Sequence, residues 1–276
     1  MSGFKKIQVR KVTPRIGAEV SGVDLSSKGN PETLEEIRRA LHENLVLFFR
    51  DQPLDHAQHK VFGRAFGDLM THPFHEAPEG HPEIMTIRAD ANTKRVVGEQ
   101  WHSDLSCDPK PPLGSILRLD VVPECGGDTA WVNMYEAYDT LSPGMQAMLC
   151  QLTAVHSPDG YSGNYGSQTV HEKRLAQAEH PVIRTHPATG RRALYVNPGF
   201  TSHIKGIPAA ESEALLAFLF KHIGSPIFQC RFRWARNSIA FWDNRCTLHQ
   251  ALFDYHPHTR VGYRVTIAGD APFFKP

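Results

Sequence analysis

The chain has 276 residues, of which 41% are hydrophobic, enough for one large core or two small ones. Lys and Arg number 30 against 29 Asp and Glu, a formal net charge of +1. That balance excludes the basic footprint of a nucleic-acid binder and the polybasic patch of a membrane-surface protein.

The N-terminal residues lack the long apolar run of a signal peptide, and no stretch approaches a membrane span. Cys107, Cys125, Cys150, Cys230 and Cys246 are an odd number without CxxC spacing, and read as reduced thiols in a cytoplasmic protein. No repeat or linker divides the chain, so 1–276 is expected to form a single domain.

Residues 5–25 read as short strands with Gly17 and Gly22 as turn points. Asn30 caps a helix with Pro31 at its first position and Leu34, Ile37 and Leu41 on one face. The continuous apolar run 45–49 is of the buried-strand type. Asp55 caps a second helix through Phe62, ending before Gly67. Residues 71–101, with Pro73, Pro78, Pro82 and several histidines, are expected to be loop-rich. Strands are expected over 114–121, from the Gly126–Gly127 turn onward, and over 152–156. A helix is expected from Ser142–Pro143.

Residues 157–180 are polar and aromatic and read as a flexible insertion, a lid. A hairpin turn at 187–190 joins strands on either side, and Glu211–His222 is an amphipathic helix with Leu215, Leu216, Leu219 and Phe220 inward. The rest of the chain alternates as strand. Periodicity alone gives a mixed but strand-dominated protein.

Two stretches carry chemistry. Residues 101–108 (WHSDLSCD) place His102 and Asp104 two apart, which on a strand points both to one face. About 145 residues later, residues 242–250 (WDNRCTLHQ) supply His249 in a polar cluster. Two histidines and one carboxylate form the facial triad of non-haem Fe(II) oxygenases. An HxD pair is common by itself, and most histidines are surface or hydrogen-bonded core residues. The company of Arg260 and Arg264 raises its standing. Their even separation puts two forked cations on one strand face, suited to an acidic co-substrate.

With those residues the chain resembles the Fe(II)/2-oxoglutarate-dependent dioxygenases of the taurine dioxygenase and phenoxyacetate dioxygenase family. The resemblance runs nearly end to end through 17–25 (GAEVSGVDL), 46–52 (VLFFRDQ), 126–131 (GGDTAW), 180–187 (HPVIRTHP), 242–246 (WDNRC) and 264–270 (RVTIAGD). It implies a mainly β fold with flanking helices around a double-stranded β-helix, or jelly-roll, core. It implies that His102, Asp104 and His249 bind Fe(II), leaving positions for 2-oxoglutarate and O2. Arg260 and Thr129 would hold the distal carboxylate of 2-oxoglutarate. His72 and Arg264 would hold the head group of a small anionic substrate, with Leu105 and Phe200 as apolar walls. Tyr161 is a further wall candidate.

The implied reaction is hydroxylation of that substrate, a sulfonate such as taurine or a related compound, with release of succinate and CO2. The alternative within the family is an aryloxyalkanoate- or alkylsulfate-cleaving dioxygenase. His75 and Gly98 depart from the Tyr and Asn of the taurine-cleaving members, and the stretch before Trp101 is closer to the aryloxypropionate branch. Outside the family, the residues alone also allow a non-catalytic cupin-like metal- or ligand-binding protein, or a zinc hydrolase. Neither nucleic acid nor membrane is an expected partner; a homo-oligomer is compatible with the sequence, which sets no subunit count.

Overall fold

The structure, a computed structural model, describes residues 3–71, 76–159 and 177–276. His72, His75 and Tyr161 lie outside the described residues, as does most of the 157–180 insertion. The chain is mostly β with few helices. In chain order the first elements are β1 (Gln8–Lys11), β2 (Ala18–Ser21), α1 (Pro31–Asn44), β3 (Val46–Phe49), α2 (His56–Arg64), β4 (Leu69–Met70), β5 (Ile84–Ala89), β6 (Gly114–Val121) and β7 (Thr129–Asn133). There follow α3 (Met134–Asp139), α4 (Pro143–Leu149), β8 (Thr153–His156), β9 (Ala178–Pro181), β10 (Ile183–Thr185), β11 (Arg192–Leu194), β12 (Thr201–Ile204) and α5 (Ala209–Ile223). The last are β13 (Gln229–Phe232), β14 (Ser238–Asp243), β15 (Thr247–Ala251) and β16 (Arg260–Ile267).

Both N-terminal helices start where their capping residues stand. Asn30 Oδ1 accepts from Thr33 N at 2.8 Å, and Asp55 and Gln58 form a reciprocal capping box. Ile37, Ala40 and Leu41 of α1 and Phe62 of α2 are buried against one face of the largest sheet. That sheet runs β1-β2-β3-β14-β6-β16-β4, with β5 also paired to β16; only the β2–β3 pair is parallel.

Alternation along β3 and β14 divides the core. Leu47, Phe49, Ile239 and Phe241 face the helices. Val46, Phe48, Ala240 and Trp242 face inward onto a second sheet, β13-β7-β15. Phe48 stacks on Phe232 at 4.1 Å, and Trp131 lies 5.8 Å from Trp242, so the two sheets interlock through aromatic rings. Each such side chain contributes about 1.5–3 kcal/mol on burial.

The structure refines the sequence reading at four places. The 71–101 stretch is not all loop: Ile84–Ala89 is a strand that pairs with Arg260–Val265, its prolines lying outside the paired segment. Residues 178–180, assigned to the insertion, belong to β9, which pairs with β8. Helix α3, capped by Asn133 accepting from Tyr135 N and Glu136 N, was not expected. The polar run around His249 is a turn followed by a regular strand, β15. All five cysteines are unpaired, and no described helix is long and apolar enough to cross a membrane.

Candidate active site

His249 stands in the middle of β15, opposite Trp131 of β7. On its other edge it makes a single two-way backbone pair with His102: His102 N donates to His249 O at 3.1 Å, and His249 N to His102 O at 2.8 Å. The chain then leaves the sheet. Leu105 takes φ +44°, and Asp108 N closes a turn on Leu105 O at 2.8 Å. The expected strand placement of the HxD motif is therefore corrected. Backbone pairing fixes His102, and the start of a turn delivers Asp104.

The three predicted ligands meet nonetheless. One donor atom from each of His102, Asp104 and His249 lies within 4.8 Å of the others, and all three residues are buried. The Nε2 atoms of His102 and His249 are 3.9 and 3.7 Å from Asp104 Oδ1. His102 Nδ1 donates to Gln100 O at 2.8 Å, which leaves the Nε2 lone pair toward the cluster. Gly98, at φ +90°, lets the backbone pass close: a Cβ there would stand 3.0 Å from His102 Cε1.

Burial lowers both imidazole pKa values, that of His249 well below the usual value. Burial alone would raise the Asp104 carboxyl, but the Arg264 guanidinium beside it outweighs burial and, with the Ser115 hydroxyl, holds it well below the carboxylate range. The cluster is thus two neutral imidazoles and one carboxylate, a donor set that fits Fe(II) or another first-row divalent ion.

Residues that sequence reasoning did not single out shape this carboxylate. Asp104 Oδ2 accepts from Ser115 Oγ at 2.8 Å and from Asn244 Nδ2 at 3.2 Å. Asn244 is itself oriented by Trp242 Nε1, which donates to its Oδ1 at 2.9 Å. The WDN motif was in view for the family resemblance; nothing in its spacing to Asp104 reveals the contact.

Arg260 and Arg264 lie on one face of β16, as alternation required, and both are buried. Arg264 Nη1 donates to Asp104 Oδ1 at 2.7 Å, and Nη2 reaches Met85 Sδ of β5 at 3.1 Å. Its Nε has no partner among the described residues. Arg260 Nε donates to Gly127 O at 3.1 Å, and its guanidinium lies 5.8 Å from the Trp234 ring. Trp234 Nε1 in turn donates to Thr129 Oγ1 at 3.0 Å, so Thr129 and Arg260 meet at one indole. Phe200 lies with its ring 6.5 Å from that of His102, held by Phe200 N donating to Asn197 Oδ1 at 2.8 Å. Leu105 is buried in its left-handed conformation. His72 falls outside the described residues, so its approach to this site is not part of the geometry.

A second cluster, His42, His186 and Asp243, also has metal-like spacing. The polar atoms of Asp243 and His186 are already committed. Asp243 is clasped by Arg245 Nε and Nη2 at 2.8 and 2.6 Å and accepts from His186 Nε2 at 3.0 Å. His186 Nδ1 accepts from the Ala188 and Thr189 amides, both at 3.2 Å. This cluster ties the β10–β11 hairpin to the end of β14.

The family model for "Taurine catabolism dioxygenase TauD, TfdA family" matches residues 8–266. An alpha-ketoglutarate-dependent sulfate ester dioxygenase of Pseudomonas putida is 35% identical over 97% of this chain and 91% of its own. A solved taurine dioxygenase from Burkholderia xenovorans superposes with a TM-score of 0.85 at 40% identity, covering 97% of this chain and 91% of that one. The solved structure of AAD-2 in complex with Mn(II) and N-oxalylglycine gives a TM-score of 0.82 at 27% identity, covering 98% of this chain and 100% of that one.

Proposed function

The chain belongs to the taurine catabolism dioxygenase TauD, TfdA family, and from that premise we propose that it uses 2-oxoglutarate and O2 at an Fe(II) centre to oxidise a small organic sulfonate or sulfate ester. The observation that carries the anionic substrate is the pair of buried guanidiniums on β16, Arg260 and Arg264, set beside a buried metal-type triad. We read the two facing sheets as a double-stranded β-helix in one domain, with the triad at its open end.

In this reading His102, Asp104 and His249 hold the ion. Arg260 and the Thr129 hydroxyl receive the far carboxylate of 2-oxoglutarate; a guanidinium gives that carboxylate two parallel hydrogen bonds where an ammonium gives one. Arg264 and His72 receive the substrate's anionic head, and Phe200 and Leu105 keep water from the carbon beside it. When bound, iron and 2-oxoglutarate supply the oxidising power, with succinate and CO2 as by-products. Hydroxylation of the carbon next to sulfur or ester oxygen leaves an adduct that collapses to an aldehyde with loss of sulfite or sulfate.

The relatives named for sulfate esters and taurine support this head-group chemistry. The test is a panel of alkylsulfonates, alkylsulfates and aryloxyalkanoates, each beside its neutral amide or ester of the same shape, with aldehyde or phenol followed as product. Loss of the head-group charge strips a buried arginine of its partner, a cost of about 2–4 kcal/mol, so the anion is expected to react about 30- to 1000-fold more efficiently. Equal turnover of neutral and anionic forms would sink the anion reading.

A further inference from the structure

Asp104 offers the histidine pair one oxygen, Oδ1, because Ser115 and Asn244 occupy Oδ2. The same Oδ1 accepts Arg264 Nη1 at 2.7 Å. A divalent ion held by His102, His249 and Asp104 therefore draws on an oxygen that a guanidinium already uses. Arg264 has little else to turn to. It is 8% exposed, its Nη2 touches only the Met85 thioether, and its Nε has no partner among the described residues. Asp104 and Arg264 cancel in charge, so a dication entering this buried cluster leaves a net charge of two, and among the described residues no other acidic group acts on His102 or His249.

We infer that Arg264 couples metal loading to anion binding: it competes with the ion for Asp104 Oδ1, and an anion on its Nε and Nη2 edge, where Nη2 now meets only a thioether among the described residues, relieves that competition. Metal and anion thereby raise each other's affinity by the same factor, as thermodynamic linkage requires. This deepens the proposed function, resting on its assignment of the triad and the head-group site. The guanidinium grips the anion best once the ion has taken the carboxylate, and the ion binds best once the anion has drawn the guanidinium away.

The test is calorimetric titration of Mn(II) into the full chain, without 2-oxoglutarate, in the absence and presence of saturating propane-1-sulfonate. The neutral propane-1-sulfonamide is the control. The sulfonate is expected to tighten Mn(II) binding by about 5- to 150-fold, the usual span of such coupling, and the sulfonamide to leave it unchanged. Arg264→Gln is expected to bind Mn(II) more tightly than the wild type in buffer alone and to lose the sulfonate effect. Arg88→Gln, which removes an exposed guanidinium from β5, is expected to change neither.

Unchanged wild-type affinity on adding sulfonate refutes the coupling, whether or not any variant folds. So does an Arg264→Gln protein that binds Mn(II) no more tightly than the wild type. Product formation separates the two ideas. Turnover of sulfonates without coupling leaves the proposed function standing, and coupling without turnover of any anion in the panel overturns the substrate assignment alone.

Discussion

The two oxygens of Asp104 have different surroundings: Oδ2 is fixed by Ser115 and Asn244, while Oδ1 faces the two histidines and Arg264. Asp104→Ala is expected to abolish metal-dependent turnover with the fold intact, since it removes one donor of three and the only anionic one. Asn244→Ala leaves all three donors and releases their aim. Its expected outcome is a 10- to 100-fold weaker affinity for Mn(II), the usual scale for losing a partner of a metal ligand. Affinity unchanged in Asn244→Ala would show that Ser115 and Arg264 suffice to hold the carboxylate.

Arg260 and Arg264 should fail differently. Arg260→Gln is expected mainly to raise the KM for 2-oxoglutarate. Arg264→Gln is expected to raise the KM for the primary substrate and to uncouple succinate release from product. Identical effects of both changes on both KM values would refute the division. At this scale the clustering of His102, Asp104 and His249 and the shared face of Arg260 and Arg264 were legible in the sequence, through the HxD spacing, the company of the two arginines and the family resemblance. Ser115 and Asn244 were not, since they come to Asp104 only through tertiary contacts spanning 11 and 140 residues.

Among the elements, β16 carries both arginines and sits between β5 and β6. Gly262 sets that spacing: a Cβ there would fall 2.2 Å from Leu119 Cδ2 and 2.7 Å from Arg118 O. Gly262→Ala is expected to push β16 off β6, at about 1–3 kcal/mol of stability, and to weaken binding at both arginines together. Gly144→Ala, in helix α4 where a Cβ meets nothing within 4 Å, is the contrasting control and should be neutral or slightly stabilising. A lower melting temperature for Gly262→Ala with undiminished 2-oxoglutarate affinity would show that the strand's position does not set the site.

Helices with side-chain caps and strands with continuous apolar runs were readable from sequence, as α1, α2 and β3 show. β5 was not: a short strand among prolines declares itself only through its partner β16, some 170 positions on. The HxD turn was misread as strand because alternation and a left-handed turn begin alike for two residues.

For the molecule as a whole, buried histidines set the acid limit. His59, its Nε2 donating to Ile116 O at 3.1 Å, and His156 are both lowered by burial from the usual 6.5 to about 3. The unfolded chain binds protons at these rings below about pH 6.5, while the folded chain holds them neutral. Stability is therefore fully present above pH 6.5 and is lost as pH falls from there toward 3. The melting temperature of chelator-treated protein is expected to decline across that window. His59→Gln, whose amide can still donate to Ile116 O, should flatten the decline. A variant that melts with the wild-type slope would remove His59 from the account.

The pairing of His102 with His249 joins positions 147 apart, counting from 102 to 249. Closing so long a loop costs about 4 kcal/mol of chain entropy before any contact across it returns free energy. The two imidazoles are therefore expected to come together late in folding, after the strands around them have docked. If the contact is absent from the transition state, an ion bound there slows unfolding and leaves the folding rate as it was, which refolding and unfolding rates with and without Mn(II) would check. Metal loading is then expected to lengthen the life of a finished molecule and to do nothing to help an unfinished one fold.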